Sequence, residues 1–320
     1  MTAVLDDDPA RRRFKAAQTL LNDAVAPELV AALEAEGIHS ILLKGATIAR
    51  WLYMDGGTRH YWDIDLLVSP SELRRAEAVV SAVGFQPLVS EPTRIRQESH
   101  HERWYRPADN VCVELHRGFV GIEASDGEFW DELARECEPL ELGSDRAVVH
   151  APSPAARALL VGLHAANHGS VGTPLEDLRR AVRQVPAETW REAALVARRL
   201  RAEPAFAAGL SLVPEGADLV TRLGLASIAS AEVILRASVP PPTAMGFERL
   251  SQSAGIAGKL RYLAFELAPP PAILRQLDPL ARRGTAATVA AYARRPFLLA
   301  AQAPRGFHAW RSARRRARRA

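Results

Sequence analysis

The sequence contains few cysteines and no long apolar run, and each absence excludes a class of protein. Cys112 and Cys137 are the two cysteines, and their spacing suits neither a zinc motif nor a disulfide framework. No apolar run has the length of a membrane span. The acidic residues Asp6, Asp7 and Asp8 do not suit a signal peptide. We therefore expect a cytoplasmic protein without a membrane partner.

Lysine is also scarce, whereas alanine and arginine are abundant. Lysine and arginine together number 41 against 37 aspartates and glutamates, which gives a net charge of +4. The pI of about 9.4 owes much to the arginine-rich C-terminus. A hydrophobic content of 48% and a charged content of 24% are typical of globular proteins. The 320 residues are enough for two domains or one large domain.

The most informative stretch is 42–68, which reads LLKGATIARWLYMDGGTRHYWDIDLLV. Side chains alternate along a strand, so Asp63 and Asp65 share one face while Ile64 and Leu66 point into a core. Two close carboxylates repel each other unless a cation compensates, and this pattern therefore predicts a bound cation. A turn or capping role for Asp63 is the alternative, but the strand-forming residues on both sides of Asp65 argue against it.

A second signal lies at Lys44-Gly45, between a predicted strand at 40–43 and a predicted helix at 46–52. A strand, a glycine turn and a helix N-terminus together favour phosphate binding, and Lys44 adds a positive charge. The spacing is not that of a Walker loop. The alternative is a solvated surface lysine, which fits poorly between two leucines and a glycine.

A third carboxylate follows on a predicted hairpin, whose strands at 103–106 and 111–115 flank a turn at 107–110. In the segment VCVELH, Glu114 and His116 share one face, opposite an apolar face. Each has a plain alternative: Glu114 as an exposed residue on a solvated sheet face, and His116 as a hydrogen-bonded structural histidine.

Most of the remaining chain is predicted to be helical. Helices are expected at 9–24, at 28–36 after a break at Pro27, and at 71–83. The acidic segment 121–141 predicts a short helix anchored by Phe129 and Trp130, and a last strand is expected at 146–150. Ser153 and Pro154 then form a helix start, beyond which everything is expected to be helical.

His164 and His168 lie four residues apart on the first of these helices and therefore share a face. Residue 165 is alanine rather than the glutamate of a metalloprotease helix, so we favour a domain interface or substrate cleft over a zinc site. Asp177 on the next helix is a candidate partner. The basic C-terminus, 305–320, is either a contact for nucleic acid or a frayed, solvated terminus.

These residues together carry a resemblance. A glycine turn after the first strand, an Asp-x-Asp on the next long strand and an acidic residue on a later strand resemble the nucleotidyltransferase superfamily typified by DNA polymerase beta. The combination of LLKGATIARWLY, Arg59, DIDLLV, Gly84-Phe85 and VELH is similar to a bacterial nucleotidyltransferase family. The resemblance is strong over 38–120. It departs from the superfamily at the glycine turn, which is usually Gly-Ser or Gly-Gly with a shorter gap to the aspartates.

The resemblance implies an α+β fold in which a small mixed sheet with flanking helices precedes an all-α C-terminal domain. It implies a nucleotidyltransferase catalytic domain at 1–150, a helical acceptor-binding domain at 151–304 and a basic arginine-rich tail at 305–320. Asp63, Asp65 and Glu114 would be the catalytic residues and the ligands of two Mg²⁺ ions, for which Mn²⁺ could substitute. Glu114 would complete one metal site or accept the proton of the attacking hydroxyl.

In the same resemblance, Lys44, Gly45 and Arg59 would bind the nucleotide, and His116 would face the cleft. The implied reaction moves a nucleoside monophosphate from an NTP, by default ATP, to a hydroxyl acceptor and releases pyrophosphate. The acceptor could be a small molecule, a modified peptide, a protein side chain or an RNA 3′ end. The alternatives are a catalytically inactive module that binds nucleotide, a partner protein or nucleic acid, and a helical scaffold that binds nucleic acid through its tail.

Overall fold

The computed structural model describes residues 9–88, 100–143, 145–169, 171–225, 230–238 and 240–319. Its centre is a five-stranded sheet in the order β1-β2-β5-β4-β3. The strands are β1 (Ser40–Leu42), β2 (Asp63–Val68), β3 (Gln86–Pro87), β4 (His101–Arg106) and β5 (Val111–His116). Strands β2 and β5 run parallel, whereas the other neighbours are antiparallel. The predicted mixed sheet is therefore confirmed.

One long helix, α1 (Pro9–Ala35), replaces the two helices predicted at 9–24 and 28–36. The prediction of a break at Pro27 was wrong. An interior proline loses a hydrogen bond and costs roughly 3 kcal/mol. Here the helix continues because residues on both sides of Pro27, among them Val25 and Leu29, are buried against the sheet. Burying such side chains recovers about 1.5–3 kcal/mol each.

Two shorter helices, α2 (Ala46–Leu52) and α3 (Leu73–Ala82), follow β1 and β2 as predicted. The acidic segment forms α4 (Asp126–Ala134), with Phe129 fully buried as its anchor. A separate hairpin of β6 (Cys137–Leu142) and β7 (Ala147–Pro152) comes next. The sequence predicted β7 but not β6. The reason is that β6 contains a proline and two glutamates and is mostly exposed or half-buried, a pattern that is typical of an edge strand.

All described elements beyond Ser153 are helical, as predicted. The Ser153 hydroxyl accepts a hydrogen bond from the Ala156 N–H at 3.4 Å, as an N-cap should. The α-helices are α5 (Pro154–His168), α6 (Thr173–Gln184), α7 (Ala187–Arg199), α8 (Glu203–Leu210), α9 (Pro214–Leu223), α10 (Ala231–Ala237), α11 (Pro242–Gln252), α12 (Gly255–Leu267), α13 (Pro271–Leu277) and α14 (Thr285–Arg319). A 3₁₀ helix, Pro279–Arg283, precedes α14.

The sheet is covered on both faces, and this arrangement positions the polar side chains of β2. Ile64 and Leu66 pack with α1 and α3 in one cluster. Leu67 points to the opposite face and joins a second cluster that includes Leu159 of α5 and Phe206 of α8. The face that carries Asp63 and Asp65 is thus the face on which the helical region packs.

The arginine-rich segment 305–319 continues α14 as a helix and buries one side against α11. Trp310 packs against Phe247 and Phe307, and its Nε1–H donates a hydrogen bond to Glu248 Oε2 at 2.7 Å. Ala313 is buried. Within the described residues, no helix has both the length and the apolar content that crossing a membrane requires.

Candidate active site

The parallel pairing of β2 with β5 brings the predicted acidic residues together. Asp65 lies directly opposite Glu114, and Asp63 lies opposite Cys112. Because side chains alternate along both strands, Asp63, Asp65, Glu114 and His116 point to the same face. Asp65 is 2% exposed and Glu114 is 9% exposed, so neither is an ordinary solvated carboxylate.

These side chains face a cavity of about 280 Å³ between the sheet and α5. Of the site residues predicted from sequence, all but Asp177 line it. The lining residues are Lys44, Gly45, Arg59, Tyr61, Asp63, Asp65, His100, His101, Glu114, His116, Phe119, Val120, His164, Asn167 and His168.

Lys44 forms an ion pair with the central aspartate. Its Nζ lies 2.7 Å from Asp65 Oδ1, and the side chain is 16% exposed, unlike a solvated surface lysine. Burial by itself would lower the pKa of Lys44, but the charges of Asp65 and Glu114 outweigh burial and raise it. The ammonium therefore stays protonated at the floor of the cavity.

The three carboxylates differ in how well they are neutralised. Burial would raise the pKa of Asp65, but Lys44 and His116 hold it well below its usual range. Asp63 has no such partner, and burial together with the charges of Asp65 and Glu114 raises its pKa to about 7. Near neutral pH Asp63 is therefore partly protonated, whereas Asp65 is ionised.

His116 is buried and is held by two carboxylates. Its Nε2 lies 2.9 Å from Asp65 Oδ1 and 3.4 Å from Glu114 Oε2. Burial would lower the pKa of His116, but its hydrogen bonds to Asp65 and Glu114 raise it. Among the described residues, its buried Nδ1 has no hydrogen-bond partner. His116 is thus both a hydrogen-bonded histidine and a cavity residue.

His101, on β4, also belongs to this site, although it was not predicted. Its Nε2 lies 3.6 Å from Glu114 Oε1, and Arg103 Nε lies 3.3 Å from the same oxygen. The signal was available in the sequence. Extending the predicted hairpin from the pair Arg106–Val111 places residue 101 opposite His116, on the face of Glu114.

Arg59 is engaged by Asp177 on α6. Its Nε donates to Asp177 Oδ1 at 2.8 Å and its Nη2 donates to Oδ2 at 2.8 Å, while Nη1 reaches the Gly45 carbonyl at 3.3 Å. The Tyr53 hydroxyl donates to Asp177 Oδ1 at 2.8 Å. Asp177 therefore lies behind Arg59 and orients it, rather than partnering the histidines of α5.

His164 and His168 do line the cavity, with their rings edge to face at 4.6 Å. Burial, followed by the charges of Lys44 and His168, holds the pKa of His164 well below its usual value. Within the described part of the chain, the side chains close enough together to share a metal ion are those of His101, Glu114 and His116. His164 and His168 are not among them.

A second cavity of about 180 Å³ adjoins the first and shares His100, Val120 and Asn167 with it. Helices α5, α8 and α10 supply most of its walls, which are apolar at Leu163 and Val233. Besides His100 and Asn167, its polar lining residues are Glu123, Ser230, Glu232 and Arg236. The two cavities together provide space beside the carboxylates for more than one bound group.

The donor set fits a divalent cation. Three carboxylates on one buried face offer the oxygen ligands that Mg²⁺ and Mn²⁺ prefer. Burial, followed by repulsion from Asp65 and Glu114, raises the pKa of Asp63 to about 7, and a bound cation would relieve this repulsion.

Fold and site define a nucleotidyltransferase. The profile of the uncharacterised nucleotidyltransferase family matches residues 8–216, and the chain belongs to that family. It is therefore a transferase, and the family resemblance and the α+β fold predicted from sequence are confirmed. Enzymes of this family generally use a divalent metal.

The solved structures similar to the chain include two of ANT(2'')-Ia, and no curated protein matches it. The solution structure of the antibiotic-resistance factor ANT(2'')-Ia is 17% identical, with 60% of this chain and 95% of that chain covered and a TM-score of 0.39. A crystal structure of ANT(2'')-Ia in complex with adenylyl-2''-tobramycin is 16% identical, with 62% and 97% covered and a TM-score of 0.31. At these TM-scores neither structure informs the substrate of this chain.

Proposed function

We propose that the protein transfers a nucleoside monophosphate from an NTP, by default ATP, to a hydroxyl acceptor and releases pyrophosphate. One observation carries the proposal: the register of β2 and β5 sets Asp65 beside Glu114, with Asp63 on the same face of one cavity. In a member of the nucleotidyltransferase family, such an oxygen-rich cluster is the expected centre for phosphoryl chemistry.

Asp63, Asp65 and Glu114 would hold Mg²⁺, with Mn²⁺ as a substitute, in a site for two ions. When bound, these ions would stabilise negative charge on the attacking and leaving oxygens. The two paired strands hold the carboxylates in fixed positions. These side chains therefore lose little conformational freedom when an ion binds.

Lys44, Gly45 and Arg59 would bind the nucleotide. Lys44 has a flexible stem, so its ammonium could exchange Asp65 for a triphosphate oxygen within the same cavity. Arg59 is already oriented by Asp177 and contacts the Gly45 carbonyl, and its positive charge borders the space where the triphosphate would lie.

Glu114 would either complete one metal site or take the proton of the acceptor. In the proposed step the acceptor oxygen forms a bond to the α-phosphorus, the bond from that phosphorus to the leaving oxygen breaks, and the hydroxyl proton passes to Glu114. Support comes from the position of Glu114 at the cavity wall and from His116, whose Nε2 at 3.4 Å orients the carboxylate.

The helical region would hold the acceptor in the second cavity. That cavity joins the first at His100 and Asn167, so an acceptor there would lie next to the carboxylates. Its size of about 180 Å³ suits a small molecule or the end of a longer chain. Its polar residues, such as Glu123 and Arg236, would bind hydroxyl or charged groups.

The test is incubation of the purified protein with each α-labelled NTP, Mg²⁺ and a lysate of the source cells. We expect label to move onto one molecule, and we expect Asp63→Asn combined with Asp65→Asn to abolish the transfer while the fold is kept. Asp218→Asn, an exposed carboxylate on α9, is the control and should retain full transfer. Unchanged transfer in the double variant would exclude the assigned carboxylates.

The ion pair between Lys44 and Asp65 favours a second candidate, a module that binds nucleotide without turnover. In that case the Lys44 ammonium would permanently neutralise Asp65 in place of a metal ion. Calorimetry with a non-hydrolysable NTP separates the two candidates. The inactive module would bind equally well with and without Mg²⁺, whereas the transferase would bind more tightly with Mg²⁺.

A further inference from the structure

Three side chains on adjacent strands have the chemistry and spacing of a transition-metal site. His101 lies on β4, and Glu114 and His116 lie on β5, with all three ligand atoms within 4.8 Å of one another. Antiparallel pairing sets His101 opposite His116, and their rings are 5.0 Å apart. The cluster shares Glu114 with the proposed Mg²⁺ site but does not include the aspartates of β2.

The separations match those of bound ligands. With metal–ligand bonds of about 2.0–2.1 Å, two ligands at a tetrahedral angle lie about 3.4 Å apart. His116 Nε2 lies 3.4 Å from Glu114 Oε2, and His101 Nε2 lies 3.6 Å from Glu114 Oε1. The two distances end on different oxygens of Glu114, so a bidentate carboxylate or a rotation of this side chain would place both histidines on one ion.

The donor types point away from magnesium. Imidazole nitrogen is a good ligand for zinc and for other first-row transition metals, whereas Mg²⁺ prefers oxygen alone. His116 Nε2 at present lies 2.9 Å from Asp65 Oδ1, and an ion bound at this nitrogen would replace that hydrogen bond. The cluster borders the cavity, through which an ion can reach it.

We propose that His101, Glu114 and His116 bind one divalent transition-metal ion, represented by Zn²⁺. Glu114 cannot serve this ion and the proposed reaction at the same time. Zn²⁺ should therefore inhibit transfer in competition with Mg²⁺. The inhibition rests on the proposed function, whereas binding of Zn²⁺ does not.

The test uses the full-length, chelator-stripped protein with Zn²⁺ in a calorimetric titration and with Co²⁺ as a visible-absorption probe. We expect one ion per chain and Co²⁺ bands that Zn²⁺ removes. His101→Ala should weaken Zn²⁺ binding at least 10-fold. The matched control, His150→Ala, removes a half-exposed histidine of β7 and should change nothing. Circular dichroism checks that each variant is folded.

Two results would overturn the proposal: no stoichiometric Zn²⁺ binding by the wild type, or equal binding by the His101→Ala variant. The inhibition is measured separately, as the Zn²⁺ concentration that halves transfer at fixed Mg²⁺. In the His101→Ala variant this concentration should rise by the same factor by which Zn²⁺ binding weakens. If Zn²⁺ binds as expected and no NTP is turned over, the metal site stands and the proposed reaction fails.

Discussion

Arg59 and Asp177 form a buried ion pair that connects the segment before β2 to the helical region. Arg59 donates three hydrogen bonds of 2.8–3.0 Å to the Asp177 carboxylate, and Arg59 is 8% exposed and Asp177 1% exposed. They are 118 residues apart in the chain. A bidentate pair of this kind fixes the orientation of both side chains. The orientation of Arg59 therefore depends on the packing of α6.

Asp177→Asn should destabilise the protein by about 3–5 kcal/mol, because the guanidinium of Arg59 would remain buried without its counter-charge. Urea unfolding measures the free-energy change. Asp55 lies in the same segment between α2 and β2 as Arg59, and it forms an exposed ion pair with Arg180 of α6 at 2.9 Å. Asp55→Asn is therefore a matched control and should cost far less, because solvent screens an exposed pair. Equal losses in the two variants would contradict the importance of burial.

Lys44→Ala should weaken the binding of a triphosphate about 10- to 100-fold, because a charge-assisted hydrogen bond contributes roughly 1.5–3 kcal/mol. Titration calorimetry with a non-hydrolysable NTP gives the dissociation constant. Lys259→Ala, an exposed lysine on α12, should leave that constant unchanged. An unaltered constant in Lys44→Ala would remove Lys44 from the nucleotide site.

Gly209→Ala should destabilise the contact between α8 and α5 by about 3 kcal/mol. A Cβ on Gly209 would overlap the carbonyl oxygen of Gly162, and backbone cannot move aside cheaply. Gly127→Ala in α4 is the opposite case, since its Cβ would meet nothing nearer than 4.0 Å. That change should stabilise the protein by up to about 1 kcal/mol. Thermal unfolding of both variants provides the comparison.

His164 should contribute a loss of stability below about pH 6.5. Burial holds the pKa of this histidine well below its usual value, so at mildly acidic pH the unfolded chain binds a proton that the folded protein does not. The loss is at most about 1.4 kcal/mol per pH unit. His164→Gln should therefore gain stability relative to the wild type between pH 7.5 and 5.5, as measured by Tm. The exposed His150→Gln should show no such gain, and a pH-independent difference would contradict the assignment.

The basic end of α14 combines a packing side and a charged side, which can be tested separately. Trp310→Ala should destabilise the protein by about 2 kcal/mol through lost aromatic packing. Replacing the exposed Arg315, Arg316 and Arg318 by serine should change stability by less than about 0.5 kcal/mol. If the tail binds nucleic acid, only the arginine variant should lose affinity for single-stranded RNA with its fold intact, and a smaller salt dependence should accompany that loss.

The sequence by itself determined which side chains share a face within each element. Alternation along a strand placed Asp63 with Asp65 and Glu114 with His116, because this geometry depends only on neighbouring residues. The N-cap at Ser153 was predictable for the same reason. The family resemblance then led from these local patterns to the prediction of the catalytic residues.

Only the tertiary structure decided which elements are neighbours. The parallel pairing of β2 with β5 brings Asp65 to Glu114, and the pairing of β4 with β5 adds His101. Arg59 meets Asp177 across 118 residues, and α1 continues through Pro27 because its flanks are buried. Such contacts depend on burial summed over distant segments, which outweighs the local preference of any single residue.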